Sequence, residues 1–405
     1  MRSLGAVFAG FLLLVAGARS ENSVTVIALQ RYTGLFRGIV GKQGSFLVRV
    51  GEKAVDLTEV ARISFSPVAS YPPEPELVLQ LADRSEIWCR ISGADSEQLS
   101  VESQALGKIA VPLEKTRALL FPGSFPTRRK FERFRLAPRE PADQDRLYTT
   151  EDAVVQGILS KITPGALVMD TENLGTIKFP FSRVQAVILA QIEKAARREG
   201  LTLTAVMDDG SVLRGTIHRL EANAVTLSTI IGPIAVPYKH TRELLVRGGR
   251  WVFLDELTPA ERIERSFVGS VVWHMHTGAN CLGDPLLVRG VRYLRGLGVH
   301  SYCRLVYTLQ DKYLRFEALA ALDDAALDER LDTRIGNVVF RVFVDGEKRF
   351  DSGPVSWNDA PKEVKVDLTG AQRLELEVSE GRGFHVRDRA DWIEPRLLKG
   401  PGGIQ

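Results

Sequence analysis

Leu374, Leu376 and Val378 alternate with Arg373, Glu375 and Glu377, so every second side chain is apolar. That two-residue period predicts a β-strand with one buried face. Phe340, Val342 and Val344 repeat the pattern and run into Asp345-Gly346, a pair suited to a tight hairpin because both positions tolerate positive φ. Val212 to Ile217 and Ala224 to Leu227 read as two further short strands behind an Asp-Gly turn. Helix is expected only at two joints. Gln191 to Arg198 should form one short helix, and Thr258-Pro259-Ala260-Glu261 marks the start of another, with Thr as N-cap and Pro at the first helical position. The pattern is that of an all-β chain.

The strands recur. Gly107 to Leu120 returns as Gly232 to Leu245 with nine of fourteen positions identical. Upstream, Asp83-Arg84-Ser85 matches Asp209-Gly210-Ser211, and Leu99 and Val101 match Val225 and Leu227. A fainter pair precedes each copy, from Gly38-Ile39 to Val48 and from Gly157-Ile158 to Val168. The order is A-B-A-B, a duplication. Each B unit reads as strand, turn, strand, turn, strand and then a short strand led by Pro112 or Pro237. Strands this short suit a small barrel, because an open sheet would leave unprotected edges. The units resemble Sm-like or SH3-like barrels in pattern. They carry no aromatic-plus-basic strand motif of the kind used on RNA, and nucleic acid is not expected as a partner.

Arg2 is followed by an apolar run from Leu4 to Val15 and by Ala16-Gly17-Ala18. This is the layout of a secretory signal cleaved after Ala18 or Ser20, and the run is short for a membrane span. The mature chain is then expected to be secreted, periplasmic or in the cell envelope, without stable membrane insertion. A formal charge of +3 gives no general electrostatic case for nucleic acid. The basic stretch is local. Pro122 to Thr150 holds four prolines with Arg128-Arg129-Lys130, Arg133 and Arg135 among them. It reads as a solvated semi-extended linker, or as a patch for an acidic wall polymer or membrane surface. Cys89 falls on the same side of a strand as Ile87 and Ile91 and should be a buried thiol. Cys281 and Cys303 are placed to pair in an oxidising compartment only if their backbones approach closely enough.

The last third carries a family resemblance. Tyr293 to Ser301 contains Gly296-Leu297-Gly298-Val299-His300. It is followed by Tyr313-Leu314-Arg315-Phe316, Ala321 to Asp324, Gly336 to Val342 with Asp345-Gly346, and Val366 to Ala371. Asp388-Arg389-Ala390-Asp391-Trp392 closes the series, and Trp251 to Pro259 resembles the usual lead-in. Together these resemble the novel carbohydrate-binding module family often appended to glycoside hydrolases, with Arg389 standing where that family usually has histidine. The resemblance implies a β-sandwich and a glycan or polysaccharide partner. The expected organisation is a signal segment (1–20), a first repeat region (24–121), a Pro/Arg-rich linker (122–150) and a second repeat region (151–247). A helical connector (248–265) and the sandwich (266–399) follow. The fold class is thus all-β, two tandem small barrel-like duplicated regions followed by a β-sandwich of jelly-roll type.

A sugar site needs an aromatic face for C–H surface and polar groups for hydroxyls. Trp392 beside Asp391, with His300 and Trp357, supplies those types. Each has a plainer role open to it: Trp392 as core, His300 as a loop hydrogen-bonder. The resemblance also implies a structural calcium ion, for which Asp323 and Asp391 are oxygen donors of suitable type. His274 and His276 share a strand face but lack a third ligand, so they read as ordinary strand histidines. No H-E-x-x-H, G-x-S-x-G or Walker pattern occurs. The leading function is that of a non-catalytic exported glycan-binding protein. The alternatives are an envelope scaffold built on protein–protein contacts and, behind it, an unrecognised glycoside hydrolase. N-terminal sequencing of exported material should begin just after residue 18 or 20; an intact Met1 with the apolar run retained would overturn the signal assignment.

Overall fold

The computed structural model describes residues 23–400, apart from 43–44, 66–73, 96, 139–142, 164, 191–198, 267–270, 329–332, 335 and 383–384. The signal run and the helix expected at 191–198 lie outside the described residues. The protein is all-β with one α-helix among the described residues. Its first part is two barrel-like units in each repeat region, so four in all. The first unit comprises strands Ser23–Ile27, Arg31–Lys42, Ser45–Val50, Lys53–Asp56 and Arg62–Ser64. The same five-strand plan recurs over 77–120, 145–188 and 202–247. In every unit the last strand folds back to pair with the first. The fourth strand of each unit pairs with the third and no ladder joins it to the fifth among the described residues, so the rings are curled but not closed.

Local chemistry explains the plan. The second strand of each unit carries a register shift at an equivalent place: Phe36/Ile39, Ile91/Gly93, Leu159/Lys161 and Ile217/Arg219. Such a bulge bends the strand, letting it serve both faces of the curl. Pro112 and Pro237, expected from sequence to lead a strand, instead end the fourth strands. Each then caps a single 3-10 turn before the last strand. A proline costs little there because its missing N–H falls at a strand terminus. A single apolar cluster, including Val26, Ile63, Leu79, Leu99, Leu119 and Leu244, fills the units.

The last strands also join units across the duplication. Ile63 of the first unit faces Leu244 of the fourth, and Val187 of the third faces Leu119 of the second. Ser85 Oγ accepts Arg214 N at 3.0 Å, while Ser211 Oγ accepts Trp88 N at 2.9 Å. The two halves are therefore related by an approximate twofold, with each half's contacts returned by the other. The segment after Pro122, expected to be semi-extended, instead forms helix α1 (Arg128–Leu136). Thr127 caps it by accepting from Lys130 N, and Pro138 follows its end. Its buried Phe131 packs against Trp88, Leu120 and Ile188 on the sheet shared by the second and third units. That apolar anchor, invisible in a segment so rich in Pro and Arg, is what orders it.

The C-terminal part is a sandwich of two antiparallel sheets. One orders His276–Thr277, Gly296–His300, Arg389–Lys399, Tyr313–Leu322 and Lys362–Asp367, with Trp251–Phe253 also paired to Arg389–Lys399. The other orders Glu261–Glu264, Cys303–Thr308, Arg373–Glu380, Asn337–Val344 and Glu347–Ser356. Asp345 and Gly346 turn the hairpin with φ of 51° and 84°, as a type I′ turn requires. The expected helical connector is absent. Trp251–Phe253 and Glu261–Glu264 are strands with one 3-10 turn, Leu254–Glu256, between them. Burial of Trp251, Phe253 and Leu254 against both modules outweighs the helix-start signal.

Trp251 and Phe253 pack with Ile27, Ala61 and Leu398, sealing the sandwich to the first unit. Beside them Arg62 pairs with Glu243 of the fourth unit at 3.4 Å and with Glu394 of the sandwich. One guanidinium thus faces two buried carboxylates. Burial, and then the negative charge of Glu394, pushes Glu243 up to about 7 against the opposing pull of Arg62. A raised carboxylate pKa contributes stability that is complete below the unfolded value of 4.5 and is lost as pH rises through about 7. Glu243→Gln should therefore melt at a higher temperature than the parent at pH 8 and show no gain near pH 4.5. A lower or equal melting temperature at pH 8 would refute the uncompensated charge.

Candidate functional site

The strand Gly296–His300 must press closely on residues 279–280. A Cβ at Gly298 would lie 2.3 Å from Asn280 Cα, and one at Gly296 would lie 2.8 Å from Trp392 O. Glycine is required at both positions, and their packing sets where His300 emerges at the end of the strand. His300 is 6% exposed, and its ring stacks on half-buried Trp273 with centroids 4.5 Å apart and planes 20° from parallel. His385 meets it edge-on at 6.3 Å. His300 Nδ1 lies 2.8 Å from the Ser301 carbonyl. A carbonyl only accepts, so the proton sits on Nδ1 and Nε2 is left as an acceptor. Burial, with His385 and Arg389 nearby, lowers the His300 pKa and keeps the imidazole neutral at pH 7.

Behind this surface sits Asp388, fully buried. It accepts from Ser301 Oγ at 2.6 Å and from Asn337 N at 3.0 Å. Burial pushes it up to about 6 in spite of those two bonds. Asn337 in turn donates to Ser356 Oγ at 2.7 Å, and its own Oδ1 accepts from Arg382 N. Trp357 follows Ser356 directly and is 38% exposed. The carboxyl of Asp388 thereby ties three loops to one end of the sandwich, and Trp273, His300, His385 and Trp357 are carried on that end. The arrangement offers flat aromatic and imidazole surface together with hydrogen-bonding edges, which is what stacking on a sugar ring and fixing its hydroxyls require.

Of the residues expected from sequence, His300 and Trp357 are brought to this end. Trp392 is not: it is 1% exposed, set edge-on between Phe340 at 5.0 Å and Phe316 at 6.3 Å. Its strand is the central one of its sheet, so the side facing the second sheet is sealed. Asp391 is wholly buried beside Asp323. Asp323 accepts from Asn280 Nδ2, Leu287 N and Ala325 N at 2.8–3.0 Å, so it pins loops. Burial and the neighbouring Asp323 hold Asp391 well above the carboxylate range. Asp323 is thus taken up by three N–H groups, both buried oxygens of Asp391 lack a hydrogen-bond partner, and no group of three or more His, Cys, Asp or Glu side chains set to hold a metal ion occurs among the described residues.

Trp273, His385 and Asp388 were missed by sequence reasoning. A tryptophan heading the histidine-bearing segment 274–276, and a histidine within the glycine-rich stretch 381–388, were the available signals. His274 instead bonds Glu264 at 2.7 Å. Cys89, Cys281 and Cys303 are buried free thiols, so the 281–303 pairing is not formed. No helix among the described residues is long and apolar enough to cross a membrane.

Residues 252–398 match the NPCBM/NEW2 domain, a type of carbohydrate-binding module. Over 116 residues the chain is 28% identical to a curated protein of Renibacterium salmoninarum named as an endo-alpha-N-acetylgalactosaminidase. The match takes in 29% of this chain and only 7% of that protein. Among solved structures, the CBM51 module of Clostridium perfringens GH95 in complex with methyl-galactose is 26% identical. It covers 36% of this chain and 99% of its own, with a TM-score of 0.33. The tandem CBM51 modules of the family 98 glycoside hydrolase from Streptococcus pneumoniae SP3-BS71 are 12% identical. They cover 80% of this chain and 88% of theirs, with a TM-score of 0.32.

Trp392→Ala should cost ~3–5 kcal/mol of stability, as for other large buried aromatics. Chemical denaturation checks this; a loss below about 1 kcal/mol would show the ring to be peripheral.

Proposed function

We propose that this is an exported, non-catalytic glycan-binding protein whose sugar site is the loop end of the sandwich bearing Trp273, His300, His385 and Trp357. The carrying observation is the stacked Trp273–His300 pair held by the buried Asp388 network. A structural role alone does not call for an imidazole with its acceptor nitrogen left for a hydroxyl, nor for a half-exposed tryptophan on the same end. The match of 252–398 to the NPCBM/NEW2 domain supports the same reading. Neutral His300 suits hydroxyl recognition, since Nε2 accepts where an imidazolium could only donate. The four barrel-like units serve in this reading as the body on which the sandwich is mounted.

Binding of the full mature chain to methyl-galactose and N-acetylglucosamine, and then to a glycan array, is the direct test. Trp273→Ala should weaken binding about tenfold or more, through lost stacking surface. His300→Ala should weaken it by up to about tenfold, the value of one hydroxyl contact. Both should retain the parent's cooperative melt. Unchanged affinity in both folded variants would remove the site from this end. Failure of the parent to bind any glycan would leave the envelope-scaffold role in its place.

A further inference from the structure

We infer that the glycan held at this end is anionic, with its sulfate or carboxylate groups lying along a basic surface formed by Arg387 and Arg389 of the sandwich together with Arg129, Lys130 and Arg133 of α1. The inference rests on the binding site proposed above and adds the class of its ligand. Helix α1 turns its one acidic residue inward: Glu132 is fully buried and bridged to Arg135 at 2.7 Å. Its cations at 129, 130 and 133 fall on the outer side, with Arg129 and Arg133 being 58% and 43% exposed. Both bond the same carboxylate of the sandwich, Asp284, at 2.7 and 2.6 Å. One acid therefore docks two arginines and fixes the helix against the sandwich.

Continuity with the sugar site runs through Arg389. Arg389 lies opposite His300 across the strand pair, so both side chains leave the same face of the sheet. That face is covered by the 279–284 segment: Gly298 packs on Asn280, and Asn280 Oδ1 accepts from the N–H of Asp284, the residue that holds Arg129 and Arg133. The helix therefore docks on the segment that covers the face bearing His300 and Arg389. A neutral sugar needs no such field, whereas a polyanion threading past several cations gains from each of them. Asp388, behind the rings, is fully buried, and its carboxylate is taken up by Ser301 Oγ and Asn337 N.

The test uses the full mature chain against a neutral galactan, a sulfated galactan, a uronate polymer and vesicles of anionic phospholipid, each at about 50 and 300 mM salt. The sulfated or the uronate polymer should bind about tenfold or more tighter than the neutral one at low salt, and the margin should shrink at high salt through screening. The arm that prefers sulfate to carboxylate, or the reverse, names the group. Lys130→Gln, at an exposed position outside the Asp284 pairing, should narrow that margin while leaving neutral binding and the melt unchanged. Lys130→Arg, which keeps the charge, should retain it. Equal affinity for neutral and anionic polymers overturns the inference and leaves the sugar site standing. So does an anionic preference untouched by Lys130→Gln, or binding to vesicles with no anionic-glycan preference. Loss of all glycan binding in the parent would instead overturn the site itself.

Discussion

A unit that folds its fifth strand back on its first still leaves the far edge of that fifth strand open. An open edge invites pairing with whatever strand is available. Here every such edge is taken by the last strand of another unit: the first unit with the fourth, the second with the third. Much of the molecule follows from that exchange. It brings Ser85 and Ser211 into reciprocal bonds at the twofold. It also makes the shared sheet on which Phe131 seats α1, and it sets Arg62 and Glu243 together where the sandwich supplies Glu394. Neither half could satisfy these edges alone.

The sandwich is attached by a mixture of apolar and ionic contacts. Trp251, Phe253 and Leu398 close a dry seam with Ile27 and Ala61. Around it the pairings are charged: Asp284 with Arg129 and Arg133, Glu394 with Arg62, and Arg292 near Glu132. Buried ion pairs add little net stability against apolar packing, but breaking one partner is costly. They therefore fix orientation more than they strengthen the joint. That orientation is what places the basic side of α1 next to the loop end that bears His300.

Strand content and the duplication were legible in the sequence because they rest on short-range period and on repeated residues. The Asp345-Gly346 hairpin, the A-B-A-B order and the inward alternation of Leu374, Leu376 and Val378 are all of this kind. The Pro/Arg-rich stretch misled for the opposite reason. One buried phenylalanine outweighs its composition, and nothing local announces the surface that receives it. Trp392 misled similarly, since tryptophan beside aspartate looks the same whether the strand is central or at a rim.

By itself, then, the sequence determined that this chain would be built of short paired strands and duplicated, because backbone period and turn chemistry act between neighbours; the carbohydrate-binding character of the last third rested on its resemblance to a family. Only the tertiary structure decided which strands exchange partners, that Asp323 and Asp391 are pinned inside, and that Trp273, His300, His385 and Trp357 share one end. Those outcomes depend on contacts between residues tens to hundreds of positions apart, and burial decides there whether the same side chain is core or site.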